Sequence, residues 1–367
     1  MQEDEVERTT LFDRPFRQAA VAIVHALLLR QDGVPARRIQ LSPGHFNIGR
    51  GPLNELTLAS SEVSRQHCRI DIARDVAVLV DLASTNGVYL DGQQIEGQAI
   101  LQSGARLSVG QFSLIYQRGT AEELAEAEAG ERELAQAVGY IRALLPPPLR
   151  SGPVRAEWHF VPSALLGGDV FGYRWLDEQH LSIFLLDVCG HGVSSALLAA
   201  SAANMLRLPG PGLDLRDPGA VLDGMNAAFQ MEEHNGLFFT IWYGVYEPIT
   251  RELRFASAGH HPAYLVHDTT WQALVTDAPT VGLSPVGCFE VSQTYVPAGA
   301  QLHLFSDGAF EVTYPDGTLV GVDKLLALLK RPSGAKREPE QVYNDLRQLT
   351  GFRPFEDDFS LMSLEFI

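Results

Sequence analysis

An alanine-, glutamate- and leucine-rich segment, residues 118–149, divides the chain into two parts of different character. It contains the run "EELAEAEAGERELAQAVGYIRALL" and stops at three consecutive prolines, Pro146 to Pro148. A helix rarely continues through such a run, because proline lacks an amide proton and clashes with the preceding turn. On both sides of the segment, short β-like runs are separated by glycine, asparagine and aspartate. For 367 residues, we therefore expect two domains joined by a helical linker.

The linker carries a heptad pattern. Apolar positions alternate at spacings of three and four residues, and the pattern is interrupted by Glu131 and loosened by Gly130 and Gly139. The apolar positions are Leu124, Ala127, Leu134, Val138, Ile141 and Leu145. Two interpretations stay open: one amphipathic helix that lies on a neighbouring domain, or a two-stranded coiled coil that makes the chain a homodimer.

Charge and composition exclude several classes of partner. The net charge is −17, from 45 acidic and 28 basic residues, which argues against nucleic-acid binding and against adsorption to an anionic membrane. No apolar run reaches transmembrane length. The acidic start "MQEDEVE" is unlike a signal peptide, and the three cysteines are scattered without metal or disulfide spacing. We therefore expect a cytoplasmic protein whose residues 1–19 form a flexible acidic tail.

Four aspartates in the C-terminal part share one setting, the point where an apolar strand meets a turn. They are Asp169 in "LLGGDVF", Asp187 at the end of "LSIFLLD", Asp307 at the end of "LHLFSD", and Asp357 before "DFSLMSLEF". One such aspartate is ordinary turn chemistry, but four would meet at one edge if the strands lie side by side. Clustered carboxylates do not stay ionised without cations, and oxygen ligands select Mg²⁺ or Mn²⁺.

In sequence order, the segments "GGDVFGY", "LSIFLLDVCGHGVSSALLAA", "SAGHHPAYL", "LFSDGAFE" and "DDFSLM" resemble the metal-dependent PPM (PP2C-like) phosphatases, in their SpoIIE/RsbU-type bacterial branch. The resemblance covers residues 150–367. It implies an α/β fold, a β-sandwich flanked by α-helices, that binds two Mn²⁺ or Mg²⁺ ions at its edge. The implied activity is hydrolysis of phosphoserine or phosphothreonine on proteins.

The same resemblance implies roles for individual residues. The metal ligands would be the side chains of Asp169, Asp187, Asp307 and Asp357 and the backbone carbonyl of Val188. Asp187 would bridge the two ions, and the glycines of "GHG" would let the backbone turn beside it. Its catalytic partner His191 would protonate the leaving serine oxygen, although a histidine held by backbone partners at the turn is an equal alternative.

One position departs from the family pattern. The bacterial branch usually has an aspartate three residues after the "GGD" aspartate, where this chain has Gly172. Because that aspartate is not one of the core ligands, we keep the prediction of an enzyme. The alternatives are a phosphothreonine-binding scaffold with an inactive PPM domain, and a hydrolase of small phosphate esters.

The N-terminal part contains "FNIGR", "VSRQHCRI" and "DLASTNGVYLDG" in order. Together these motifs resemble the forkhead-associated (FHA) domain over residues 20–117, an all-β sandwich that binds phosphothreonine peptides through its loops. Arg50 and Arg65 supply charged donors for phosphate, and Ser64 and Thr85 supply hydroxyls. Asn86 would hold the peptide backbone. The competing interpretation is that "STNG" is only a hairpin turn.

The sequence thus predicts a metal-dependent serine/threonine protein phosphatase with an FHA domain that senses phosphopeptides. By resemblance, it would act in bacterial signalling, for example on a phosphorylated anti-sigma-factor antagonist.

Overall fold

The computed structural model describes residues 22–31, 34–163, 166–190, 192–330, 337–353 and 355–367. The predicted tail, residues 1–19, and His191 lie outside the described residues.

The N-terminal half is a sandwich of two β-sheets. Its strands are β1 Val24–Gln31, β2 Val34–Leu41, β3 Gly44–Gly49, β4 Leu56–Thr57, β5 Cys68–Ala73, β6 Val76–Asp81, β7 Tyr89–Leu90, β8 Gln93–Gln94, β9 Gln98–Ile100, β10 Arg106–Val109 and β11 Phe112–Gly119. The sheet orders are β2-β1-β11-β10-β7-β8 and β4-β3-β5-β6-β9. Alternate residues of strands such as β5 point inward, and Leu27, Ile70 and Leu107 are fully buried between the sheets.

A single helix, α1 Ala121–Arg142, joins the two halves. It starts at a capping box, in which Thr120 and Glu123 satisfy each other's backbone amides, and it ends before the prolines. Its start contacts β2 and β11, where Arg38 forms an ion pair with Glu128 at 2.8 Å. Its end buries Ile141 in a small apolar cluster of the C-terminal half. The ends of the heptad pattern thus pack within the chain, and the coiled-coil homodimer stays a prediction.

The C-terminal half is a second sandwich, with helices on both outer faces. Its elements are β12 Val154–Val161, β13 Asp169–Trp175, β14 Leu181–Val188, α2 Val193–Arg207, α3 Pro218–Ala228, β15 Phe239–Glu247, β16 Glu252–Ala258, β17 Ala263–His267, β18 Thr270–Leu274, β19 Ser292–Tyr295, β20 Gln301–Phe305, α4 Gly321–Leu329, α5 Pro339–Leu349 and β21 Phe359–Phe366. The sheet orders are β12-β21-β20-β17-β18 and β13-β14-β15-β16-β19, and all pairs are antiparallel.

Three apolar layers hold this half together. Phe171 and Trp242 from one sheet pack between the sheets with Leu302 and Leu364 from the other. Helices α2 and α3 bury their apolar faces on the outside of the sheet β13-β14-β15-β16-β19, and α4 and α5 do so on the sheet β12-β21-β20-β17-β18. The fold class predicted from the sequence, an all-β sandwich followed by a helical linker and a helix-flanked β-sandwich, is confirmed. In the part of the chain that the structure describes, no helix combines the length and the apolar character needed to cross a bilayer.

Candidate metal centre and phosphopeptide-binding surface

Two of the predicted metal ligands face each other on neighbouring strands. Asp169 begins β13 and is the register partner of Asp187 near the end of β14. Asp169 is buried and accepts a hydrogen bond from the Ser360 hydroxyl at 2.6 Å. Its burial, followed by the charges of Asp187 and Asp358, raises the pKa of Asp169 well above its ordinary value. The antiparallel pairing therefore brings two carboxylates together in a setting where both are costly to ionise.

The other two predicted ligands join this pair from the opposite sheet, which contains β20 and β21. Asp307 starts a short 3₁₀ turn directly after β20, and Asp357 lies just before β21. Burial raises the pKa of Asp187 to about 8, and the charges of Asp307 and Asp357 contribute to the rise. Burial and the charge of Glu311 raise the pKa of Asp307. The four aspartates that the sequence predicted to meet therefore form one electrostatic cluster.

The glycine loop before β13, residues 166–168 with Gly167 and Gly168, lies against the end of β14. The amide of Val188 donates to the carbonyl of Gly168 at 3.3 Å, and a Cβ added at Gly168 would lie 2.7 Å from the Val188 carbonyl oxygen. Gly190 and Gly192 have φ angles of +75° and +99°, which side chains other than glycine rarely adopt. Glycines thus place the Val188 carbonyl beside the loop that carries Asp169. The role of His191 stays a prediction.

The donor set fits hard divalent cations. The charges that contribute most to the raised pKa of Asp187 are those of Asp307, Asp357 and Asp358, and Oδ1 of Asp307 is buried without a hydrogen-bond partner. Oxygen donors with excess negative charge are the ligands that Mg²⁺ and Mn²⁺ prefer. Among the described residues, no three histidine, cysteine, aspartate or glutamate side chains already converge on one ion position.

A fifth carboxylate in the cluster has a different task, which the sequence analysis missed. The Asp358 side chain is buried and accepts hydrogen bonds from the Ser163 amide at 2.7 Å, the Ser163 hydroxyl at 3.0 Å and the Gly168 amide at 2.6 Å. A Cβ added at Gly167 would lie 2.2 Å from this carboxylate. Asp358 therefore anchors the glycine loop. The Asp357–Asp358 pair in the sequence was the available signal, but it does not distinguish ligand from anchor.

The departure at Gly172 has a packing explanation. Gly172 pairs with Phe184 across β13 and β14, and a Cβ at this position would lie 2.6 Å from the Phe184 ring. Phe184 belongs to the apolar layer under α2 and α3. Position 172 is also three strand residues from Asp169, about 10 Å at the usual rise per residue. Position 172 therefore carries a glycine that packs against the Phe184 ring, and it lies away from the carboxylate cluster.

At one end of the N-terminal sandwich, the structure brings together the loops that carry the predicted phosphopeptide contacts. The Arg50 amide donates to the Ser64 carbonyl at 2.9 Å, and the Thr85 amide donates to the Ser64 hydroxyl at 3.0 Å. The hydroxyls of Ser64 and Thr85 lie 3.2 Å apart. Arg50, Arg65 and Thr85 are exposed, while Ser64 and Asn86 are half-buried. Charged and hydroxyl donors thus share one accessible surface.

Three side chains fix the shape of these loops. The ring of buried His67 accepts from the Ser64 amide through Nδ1 at 3.0 Å, so that Nε2 donates to the Gly87 carbonyl at 3.1 Å. Asn86 donates to the Glu62 carbonyl at 2.8 Å. Asn54, which the sequence analysis did not single out, donates to the carbonyls of Gly51 and Arg65, both at 2.7 Å. "STNG" is therefore part of a hydrogen-bonded constellation rather than an isolated hairpin turn.

A cleft of about 450 Å³ lies between the two halves. Its lining includes Asp91 and Arg106 from the N-terminal sandwich and Ser163, Glu311 and Glu356 from the C-terminal one. Glu311 is also the acidic neighbour that raises the pKa of Asp307. The cleft therefore opens beside the carboxylate cluster.

Comparison with known families agrees with both halves. The family model for Stage II sporulation protein E (SpoIIE) matches residues 177–367, more than half of the chain, and the chain belongs to this family. The FHA domain model matches residues 46–110, which include all five predicted phosphopeptide contacts. Asp169 precedes the SpoIIE match, so its assignment to the site depends on the strand pairing described above.

Individual relatives cover separate parts of the chain. The phosphoserine phosphatase RsbU of Bacillus subtilis is 28% identical over 209 residues, which are 56% of this chain and 61% of RsbU. The oxoglutarate dehydrogenase inhibitor of Corynebacterium glutamicum is 32% identical over 98 residues, which are 26% of this chain and 68% of that protein. The SiaA-PP2C domain of Pseudomonas aeruginosa has a similar fold, with a TM-score of 0.56 and 21% identity over 66% of this chain and 99% of that domain.

Proposed function

We propose that the chain is a metal-dependent protein phosphatase that hydrolyses phosphoserine or phosphothreonine on proteins and senses phosphothreonine peptides through its FHA domain. The observation that carries the proposal is the cluster of four aspartates at one edge of a SpoIIE-family sandwich, with one buried carboxylate oxygen of Asp307 left without a partner. The resemblance to RsbU, itself a phosphoserine phosphatase, supports the reaction class.

In this proposal, two Mn²⁺ or Mg²⁺ ions are held by Asp169, Asp187, Asp307, Asp357 and the Val188 carbonyl. Bound divalent ions supply positive charge that polarises a phosphoryl group and activates water for attack on phosphorus. The chain's own part is to orient these carboxylates, through the Ser360 hydroxyl on Asp169 and through Asp358 on the glycine loop. His191 is the proposed proton donor to the leaving oxygen.

The proposed sensor surface consists of Arg50, Ser64, Arg65, Thr85 and Asn86. Its support is the paired hydroxyls of Ser64 and Thr85 beside two exposed arginines, a donor set suited to a phosphate dianion. Asn86 is positioned by Glu62 to meet the backbone of a bound peptide.

We further propose the division into an acidic tail, residues 1–19, an FHA domain, residues 20–117, a linker, residues 118–149, and a phosphatase domain, residues 150–367. The protein would act in the bacterial cytoplasm, with an anti-sigma-factor antagonist as an example of the substrate. Homodimerisation through α1 belongs to this proposal, while nucleic acids and membranes are not among the proposed partners.

The test is phosphate release by the purified full-length chain from a panel of phosphoproteins, which includes a phosphorylated anti-sigma-factor antagonist, with Mn²⁺ and with a chelator. Release only with Mn²⁺, and its loss in an Asp307→Asn variant, is the expected result. No release from any phosphoprotein, together with retained phosphothreonine-peptide binding, would favour the scaffold alternative. Release from p-nitrophenyl phosphate alone would favour a hydrolase of small esters.

A further inference from the structure

The N-terminal sandwich contacts the C-terminal one through an arginine at the start of β10. Nη1 of Arg106 donates to the backbone carbonyl of Ser163 at 3.2 Å. The Arg106 amide donates to the Asp91 carboxylate at 2.8 Å, so that the backbone of this residue is held within its own sheet. Ser163 lies just after β12, in the half of the molecule that carries the carboxylate cluster.

Ser163 is connected to the glycine loop through the Asp358 carboxylate. Its amide and its hydroxyl both donate to Oδ1 of Asp358, at 2.7 and 3.0 Å. The other oxygen of the same carboxylate accepts from the Gly168 amide at 2.6 Å, and the next residue is Asp169. An unbroken series of hydrogen bonds therefore runs from Arg106, through Ser163 and Asp358, to the residue before a proposed metal ligand.

A second contact fixes the other end of β10. Arg347 on α5 is 5% exposed, and it donates to the carbonyl of Gly110 at 3.2 Å and to the Glu62 carboxylate at 3.4 Å. Gly110 directly follows β10, whose first residue is Arg106. Because the strand is held on the C-terminal half at both ends, Arg106 has a defined position relative to Ser163.

We propose that Arg106, a residue of the FHA sandwich, is a positioning residue for the metal centre of the phosphatase domain. This inference rests on the proposed function for the identity of the site. Arg106 fixes the Ser163 carbonyl, and Ser163 in turn presents two donors to Asp358, which holds the glycine loop. Metal ligands bind tightly only when their supporting hydrogen bonds hold them close to the bound geometry. Loss of Arg106 removes the bond to the Ser163 carbonyl, although Ser163 keeps its bonds to Asp358, and adds part of the ordering of the loop to the cost of binding a cation.

The first test is calorimetric titration of the full-length protein with Mn²⁺, because binding does not depend on turnover. Arg106→Ala should weaken Mn²⁺ binding by about 10-fold, the lower end of the effect of removing a group that supports metal ligands. Arg106→Lys keeps a donor and should recover most of the affinity. Arg69→Ala is the matched control, because Arg69 is bonded to Asp71 within its own sheet, and it should bind Mn²⁺ like the wild type.

A double-mutant cycle tests whether Arg106 acts through Ser163 and Asp358. Ser163→Ala removes the hydroxyl donor to Asp358 and should also weaken Mn²⁺ binding. If both residues act through Asp358, the effects of Arg106→Ala and Ser163→Ala on Mn²⁺ affinity will be less than additive in the double variant. With p-nitrophenyl phosphate, the Arg106→Ala variant should need more Mn²⁺ for half-maximal rate but approach the wild-type kcat at saturating Mn²⁺.

The inference is overturned if Arg106→Ala binds Mn²⁺ as tightly as the wild type, or if Arg69→Ala loses as much Mn²⁺ affinity as Arg106→Ala. Strict additivity in the double-mutant cycle, or a wild type that does not bind Mn²⁺, would also overturn it. If Arg106→Ala binds Mn²⁺ more weakly than the wild type and Arg69→Ala do, while no phosphoprotein or ester is hydrolysed, the proposed function fails and the positioning role of Arg106 stands.

Discussion

The two β-sandwiches of this chain build their sites in opposite ways. At the FHA surface, the side chains already satisfy one another: Ser64 and Thr85 share a hydrogen bond, and Asn86 and His67 are held by backbone carbonyls. At the proposed metal centre, burial and neighbouring carboxylates raise the pKa of both Asp169 and Asp187, and an oxygen of Asp307 has no hydrogen-bond partner. A surface for an anion can thus be complete before its ligand arrives, whereas a cluster of carboxylates holds repulsion that a bound cation or a proton relieves.

Removal of one carboxylate from the cluster is the strongest test of this difference between the two sites. Asp187→Asn should lower Mn²⁺-dependent turnover by about a thousandfold or more, since divalent ions contribute several kcal/mol to such reactions. At neutral pH, the same change should raise the unfolding temperature of the metal-free protein, because a neutral amide avoids the cost of ionising or protonating a buried carboxyl whose pKa is raised to about 8. Differential scanning calorimetry with a chelator measures this second effect.

Asp223→Asn is the control for the carboxylate variant, because Asp223 is exposed on α3 and should leave both quantities unchanged. If metal-free Asp187→Asn unfolds at a lower temperature than the wild type, the carboxylates do not repel one another in the folded protein.

At the FHA surface, loss of a single charged donor should reduce affinity without relieving any repulsion. Arg50→Ala should weaken binding of a phosphothreonine peptide by about 10- to 100-fold, as expected for one hydrogen bond between charged groups. The measurement is fluorescence anisotropy with a peptide selected by the wild-type protein from a phosphothreonine library. The unphosphorylated peptide and Arg69→Ala are the controls, and unchanged affinity in Arg50→Ala would contradict the assignment of this surface.

The smallest expected effect on metal binding is at Gly172. Gly172→Asp and Gly172→Ala both place a Cβ against the Phe184 ring. Gly172→Ala should lower the free energy of unfolding by about 1–3 kcal/mol, the usual cost of overpacking, and Gly172→Asp should lower it further because it also buries a carboxyl group beside an apolar layer. Neither should change Mn²⁺ affinity in a calorimetric titration. Tighter Mn²⁺ binding in the aspartate variant than in the alanine variant would mean that position 172 does reach the metal centre.

The sequence was informative where the signal is local. Aspartates at the points where apolar strands meet turns predicted the carboxylate cluster, and "FNIGR", "VSRQH" and "STNG" predicted the loops of the FHA surface. The role of Asp358 was not predictable in this way, because its donors Ser163 and Gly168 are 195 and 190 residues away along the chain. Arg347 lies on an amphipathic helix, where an arginine usually faces solvent, and no sequence pattern indicates that a second domain covers it.

The heptad pattern of the linker predicted a helix but not the surfaces against which the helix packs. The heptad spacing correctly indicated a helix over most of residues 118–149, and α1 spans Ala121–Arg142. Spacing alone does not distinguish an apolar side chain that meets a second copy from one that meets a neighbouring domain. Ile141 packs against α2 because the proline-terminated helix ends on the C-terminal sandwich, which is a property of the tertiary fold.

Helix α1 also determines how strong the contact between the sandwiches has to be. Its 22 residues span about 33 Å, and each end is packed on a different sandwich. Tethering of this kind replaces a bimolecular encounter by an intramolecular one at a local concentration on the order of millimolar or higher. The polar contacts of Arg106 and Arg347 therefore do not need the strength that would hold two separate proteins together. A contact that is occupied through tethering rather than through intrinsic affinity costs little free energy to open.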